Sequence, residues 1–373
     1  MAEDDDSEVE EGTSAAPEAP APRENALLIG HEAAEATLLQ AYNSGRLSHA
    51  WLFTGPRGIG KATLAYRFAR FLFAEGGARA SGGGLFAAPA SSLAVASSHR
   101  VFRQVASGGH PDLLVVERGV DPKRRRQRRE IVADEARRVA DFLHLTSALG
   151  GWRVVIVDGA DLMNSHAANS LLKILEEPPK QTVLLLASDN PGRLLPTIRS
   201  RCRTVVLKPL DDRKITDLLQ HYRVDISERD RDLLVDLAEG SIGRALDLAA
   251  GDGVGLYQNI FSFLNELPKL NFETLHGFAD RLARPGAEDS FSLFAELLSL
   301  GVARLVMTGT KPPTSLSRGE DQIMRRLVGR RGLDQWVEVW EKLTHLFAQA
   351  EGINLDRKQV VLNAFFALEE AAR

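Results

Sequence analysis

Cysteine is nearly absent: Cys202 is the single one in 373 residues. One thiol excludes a disulfide framework and a cysteine-ligated zinc site, and it fits a reducing, cytoplasmic compartment. Long apolar runs are missing as well. No stretch of about 18 consecutive apolar residues occurs, so no transmembrane helix and no membrane partner are expected. The N-terminus lacks the basic and apolar opening of a signal peptide. Its first residues, "MAEDDDSEVEEGTSAAPEAPAP", are acidic and then rich in alanine and proline. His31, His49 and His110 have no metal-ligand spacing to one another, so no metal site is expected and the three read as structural.

What is present is ordinary for a water-soluble chain: 44% hydrophobic and 26% charged residues. The net charge of −4 includes the seven acids of the first eleven residues, which leaves the remainder slightly positive and compatible with a nucleic acid nearby. Residues 1–24 cannot bury enough apolar surface to order themselves and are expected to form a disordered, dispensable tail. "HEAAEATLLQAYNSG" (31–45) has helical spacing. "HAWLFTG" (49–55) reads as a strand entering a glycine loop, and "KATLAYRFARFLFAEGG" (61–77) as the helix leaving it. Residues 76–98 are Gly/Ala/Ser-rich and read as a flexible insertion. Further apolar strands are expected at 110–117, 150–158, 182–188 and 203–210, with helices at 131–145 and 164–179, the last stopped by two prolines. Strands alternating with helices give an α/β fold with a parallel sheet covered on both faces. Beyond about residue 209 every pattern is helical, including the apolar stripe Trp336, Val339, Trp340, Leu343, Leu346 and Phe347, which reads as core.

The chemistry centres on "TGPRGIGKAT" (54–63). Against the phosphate-loop pattern G-x-x-x-x-G-K-[ST] it supplies Gly55, Gly60 and Lys61, with Gly58 inside the loop. The backbone N–H groups carried by 56–61, of which Pro56 has none, and the Lys61 ammonium can cradle phosphates. Ala62 then stands where a hydroxyl would hold Mg²⁺. Thr63 lies about 100° further round the helix and should point elsewhere. Asp158, at the tip of an apolar strand, is in place for the second metal partner, and Asp161 is an acid that could substitute. The residue after Asp158 is Gly159, which cannot polarise water. Nucleotide binding without hydrolysis is the expectation, with no cofactor required and no zinc. The basic run between Lys123 and Arg129 reads as a solvated loop, with a DNA phosphate contact as the alternative.

"SHAWLFTGPRGIGKATLA", "HPDLL", "NSLLKILEEPP", "LPTIRSRC", "GSIGRALDL" and "INLDRKQVVLNAFFALEE" occur in this order. Together they resemble the AAA+ clamp-loader subunits of bacterial DNA polymerase III, and the delta-prime class most of all. The resemblance implies a RecA-like AAA+ domain over 25–208, a helical lid over 209–252 and an all-α collar over 253–373. It implies a non-hydrolysing member of a hetero-pentamer that works in DNA replication with a gamma/tau ATPase, a delta subunit, the sliding clamp and primed DNA. Arg201 would then be an arginine finger reaching a neighbour's ATP, and Arg244 the lid arginine that senses nucleotide in its own subunit. Ser188 and Asp189 fall near the polar sensor. Many relatives carry a four-cysteine zinc module that this chain lacks. The alternative is an ATP-hydrolysing motor subunit or another AAA+ DNA-repair ATPase. Against the motor stand Ala62, Gly159 and a length that leaves no room for its additional polymerase-binding domains.

Overall fold

The computed structural model describes residues 19–80, 89–121, 126–310, 318–330, 332–353 and 355–373. Most of the expected tail, residues 81–88 of the insertion and 122–125 of the basic run lie outside these. Two compact units emerge: residues 19–218 with 238–244, and residues 219–237 with 245–373.

The first unit is built on a sheet. In chain order it runs α1 (Glu32–Asn43), β1 (Ala50–Thr54), α2 (Lys61–Ala80), α3 (Arg100–Ala106), β2 (Leu113–Val116), β3 (Val120–Asp121), β4 (Arg126–Gln127), α4 (Ala133–His144), β5 (Arg153–Asp158), α5 (Ser165–Glu176), β6 (Thr182–Ser188), α6 (Pro196–Arg199) and β7 (Arg203–Val206). Five strands pair in the order β2-β5-β6-β1-β7, all parallel, and β3 with β4 forms a small antiparallel ribbon. Side chains alternate along each strand, so the apolar runs serve two cores. Trp51, Phe53, Val154, Ile156, Val183 and Leu185 pack against α1 and α2. Leu52, Val155, Val157, Leu184 and Leu186 pack against α4 and α5. The register sets Thr54 beside Ser188 and Asp158 beside Ala187, which gathers the carboxyl ends of β1, β5 and β6 at one edge. That edge positions the site.

Two expected boundaries move. Residues 19–24, assigned to the tail, form a turn whose backbone is captured by Arg70. The buried Arg70 guanidinium donates to the carbonyls of Arg23 (3.1 Å) and Asn25 (2.7 Å) and lies 4.4 Å from the Phe102 ring centroid. Composition could not reveal this, because the partner of the segment sits more than forty residues downstream. Residues 89–98, assigned to the flexible insertion, are packed too: Leu93 is buried in the sheet core and Asn43 exchanges two hydrogen bonds with the Ala90 backbone.

The helices continue as α7 (Asp212–His221), α8 (Glu228–Ala238), α9 (Ile242–Ala250), α10 (Gly253–Glu266), α11 (Phe272–Ala283), α12 (Glu288–Thr310), α13 (Arg318–Arg330), α14 (Leu333–Ile353) and α15 (Arg357–Ala372). The segment expected as a lid over 209–252 is shared between the units: 209–218 and 238–244 belong with the sheet, the rest with the second unit. Within that second unit, Arg304 of α12 pairs with Asp236 of α8 at 2.6 Å and also donates to its carbonyl at 3.1 Å. Phe263, Phe278, Phe294, Phe347 and Phe365 form its aromatic centre. Trp336, Val339, Leu343 and Phe347 of the apolar stripe are buried, whereas Trp340 is exposed. Residues Glu288–Gly309 are long and apolar enough to cross a membrane by length and composition, but half of that stretch is buried. The ion pair of Arg304 marks α12 as a helix of this core.

Candidate nucleotide loop and interface arginine

The glycine loop joins β1 to α2, as strand–loop–helix patterning requires. Gly58 has φ +73°, and a Cβ there would come within 2.7 Å of Ser241 Oγ and 2.9 Å of Gly243 Cα. No other residue fits. The contact is hydrogen-bonded as well as close: Ser241 Oγ donates to the Arg57 carbonyl (2.6 Å) and Gly243 N–H to the Gly58 carbonyl (2.9 Å). The start of α9 therefore sits directly on the crown of the loop. Arg244, one residue on, is turned to Glu239, its Nη1 2.7 Å from Oε2.

Lys61 is 6% exposed. Its ammonium donates to the carbonyls of Gly55 (2.8 Å) and Pro56 (2.6 Å) and pairs with Asp189 Oδ1 at 2.6 Å. An ammonium has three N–H donors, so these three acceptors match its capacity. Asp189 is in turn 46% exposed, with its backbone fixed by Asp161, whose carboxylate accepts from Asp189 N–H (3.1 Å) and Asn190 N–H (3.2 Å). Asp161 thus holds a loop with both of its carboxylate oxygens. Ser188 Oγ is fully buried, with no hydrogen-bond partner among the described residues.

Asp158 ends β5 beside this cluster. Burial raises its pKa, the nearby carboxylates of Glu117 and Asp189 add to the rise, and Lys61 opposes it. Gly159 follows in the left-handed region (φ +77°, ψ +47°) and starts a short turn over Ala160–Leu162. A Cβ at Gly159 would lie 3.0 Å from Leu162 Cδ1, so a side chain at the position where a water-polarising glutamate would stand is strained by the left-handed backbone. Ala62 occupies the first turn of α2 and Thr63 is buried. Among the described residues no group of three or more His, Cys, Asp or Glu is arranged to hold a metal ion.

Arg201 lies apart from the loop, after α6. Its Nη2 is 2.8 Å from Glu176 Oε1 at the end of α5, and its Nη1 donates to the Thr197 carbonyl at 3.0 Å. No local pattern points to Glu176 as its partner, because 25 positions separate them. Cys202 beside it is partly buried, and burial pushes its thiol up to about 12, which makes it unreactive. The histidines act within the fold: His31 bonds the Ile59 carbonyl (2.8 Å), His49 the Leu175 carbonyl (3.0 Å), and His110 stacks on Phe73 at 3.8 Å.

A family model described as "DNA polymerase III, delta subunit" matches residues 30–211. The delta′ subunit of DNA polymerase III from Pseudomonas aeruginosa is 41% identical over 155 residues, covering 42% of this chain and 42% of that protein. The delta′ subunit from Bacillus subtilis is 35% identical over 216 residues, 57% of each. The tau subunit from Escherichia coli is 31% identical over 255 residues, 66% of this chain and 36% of that protein. The chain spans about half the length of the curated relatives it matches. With its parallel sheet and glycine loop, the chain is similar over its first half to the delta′ and tau subunits of bacterial DNA polymerase III.

Proposed function

We propose that the chain is a delta-prime-type subunit that hydrolyses no ATP itself and completes a neighbouring subunit's ATP site with Arg201. One observation carries the first half: α2 opens on Lys61 and Ala62 with no side-chain oxygen at the metal position, and Asp158 is followed by a left-handed glycine, Gly159, with no carboxylate to polarise water. The residues present do not fit Mg²⁺-dependent hydrolysis, since Ala62 offers no oxygen and Gly159 no carboxylate. Binding of ATP or ADP without turnover is the most this loop supports.

Arg201 supports the second half. It is partly exposed, outside the chain's own loop, and a planar guanidinium can neutralise charge developing on γ-phosphate oxygens. The partners proposed are a gamma/tau-type ATPase and a delta subunit in a cytoplasmic hetero-pentamer that places a sliding clamp on primed DNA. The similarity to the tau subunit favours an ATP-hydrolysing motor as the second reading.

Reconstitution with tau and delta subunits separates the two. The pure chain should turn over no ATP above background. In the assembled complex, Arg201→Ala should lower clamp- and DNA-stimulated hydrolysis by up to about 10³-fold, and Arg201→Lys should rescue little, because a point ammonium lacks the fork. Turnover by the pure chain that vanishes in Lys61→Ala would establish the motor reading instead.

A further inference from the structure

We infer that Glu176 is a positioning residue for Arg201, one that fixes the direction of the guanidinium before a neighbour's nucleotide arrives. The inference rests on the reading of Arg201 as a trans-acting residue.

Two ionic contacts in the same unit differ in a way that suits two tasks. Lys61 is 6% exposed and its donors are matched by three internal acceptors; it is locked. Arg201 is 35% exposed and Glu176 51%, and among the described residues the guanidinium is held mainly at two points. Nη2 meets the Glu176 carboxylate, and Nη1 meets the Thr197 carbonyl, with Ser200 Oγ at the 3.5 Å limit of the same nitrogen. A guanidinium carries five N–H donors, so these contacts leave Nε–H and one Nη2–H for an anion from outside the chain. The arginine is aimed without being saturated.

The base beneath Glu176 is rigid. It is the last residue of α5, whose continuation is blocked by Pro178 and Pro179, and the preceding carbonyl of Leu175 is bonded by His49 at 3.0 Å. Carbonyls at a helix C-terminus add negative potential where the guanidinium rests. On the other side, Thr197 belongs to α6, which begins at Pro196. A free arginine side chain loses rotamer entropy when it is fixed, and a carboxylate that holds it beforehand lowers that cost at the moment of use. An exposed ion pair is weak, strong enough to bias direction and weak enough to yield to a triphosphate.

The test uses the complex reconstituted with the tau-type ATPase and delta, with ATP turnover measured for Glu176→Ala, Glu176→Gln, Arg201→Ala and the double variant, each in a complex shown to be intact. Glu176→Ala should lower kcat about fivefold with KM for ATP unchanged. Glu176→Gln, whose amide oxygen still accepts from Nη2, should recover most of the rate. In the Arg201→Ala background, adding Glu176→Ala should change nothing. If Arg201→Ala is inactive while Glu176→Ala is unchanged or faster, the positioning role is overturned and the function proposed above stands. If Glu176→Ala costs as much without Arg201 as with it, Glu176 acts on its own and the inference fails. Full activity of Arg201→Ala removes the trans-acting reading and this inference together.

Discussion

The Lys61 ammonium is shared among the carbonyls of Gly55 and Pro56 and the carboxylate of Asp189. Which neighbour a side chain finds decides what it can do, and the same holds at Gly58. Its positive φ and the 2.7 Å and 2.9 Å approaches of Ser241 Oγ and Gly243 Cα leave no room for a methyl group. Gly58→Ala should therefore destabilise the sheet unit by about 2–3 kcal/mol, the left-handed cost plus the forced shift, read as a lower urea midpoint. Burial also sets a pH dependence. His31 and His110 are both held below the ordinary histidine value of 6.5, chiefly by desolvation. Their folded forms bind fewer protons than the unfolded chain does, so stability is complete above that value and falls as pH drops through it toward the folded values. Urea midpoints should decline between about pH 7.5 and 5.5. His31→Gln, whose amide can still donate to the Ile59 carbonyl, should show a shallower decline.

Between elements, the contacts that matter join segments distant in sequence. Arg304 and Asp236 tie α12 to α8 through a nearly dry ion pair. Removing one partner leaves a buried charge poorly compensated, so Asp236→Ala should cost about 3 kcal/mol, and the double variant Asp236→Ala with Arg304→Met should cost less than Asp236→Ala alone. Arg70 makes a similar link to residues 23–25. A chain starting at residue 26 should be less stable than one starting at residue 19 by about 1–3 kcal/mol, read as a lower urea midpoint, because a buried guanidinium loses two carbonyls. These links mark the limit of what the sequence displays. The apolar run of 182–188 and the proline-stopped helix of 164–179 are legible because strand burial and proline act locally. So are the glycine loop and Asp158 at its strand end. The capture of 19–24 by Arg70, the packing of Leu93 and the pairing of Arg201 with Glu176 are not, since no local pattern encodes a partner dozens of residues away. The division of 209–252 between two units escapes for the same reason: helical periodicity reports a buried face, and does not report what covers it.

Across the whole molecule, the features on which the proposed lack of ATP hydrolysis rests come from four separate stretches of chain. Lys61 is engaged by Asp189 from the β6 end. The loop crown is held by Ser241 and Gly243 at the start of α9. Ala62 lacks the oxygen for a metal, and Gly159 stands left-handed where a carboxylate would be needed. Each follows from different residues, so repairing one or two leaves the rest in force. Ala62→Thr with Gly159→Glu replaces the two missing groups and should still yield no turnover above background in the purified chain. The introduced glutamate would have to adopt φ near +77° with its Cβ against Leu162, at a cost of about 1–2 kcal/mol, and its carboxylate would not be aimed by the strand. Lys61 would remain paired. The double variant should therefore be less stable than the parent and equally inactive, as measured by phosphate release and by urea unfolding on the same preparation. Adding Asp189→Ala and Ser241→Ala removes the one charged acceptor of the ammonium and a hydrogen bond to the loop, and should first appear as tighter binding of a fluorescent ATP analogue rather than as hydrolysis. Robust phosphate release from the Ala62→Thr, Gly159→Glu chain alone would show that the loop opens readily and that the contacts of Lys61 with Asp189 impose no barrier.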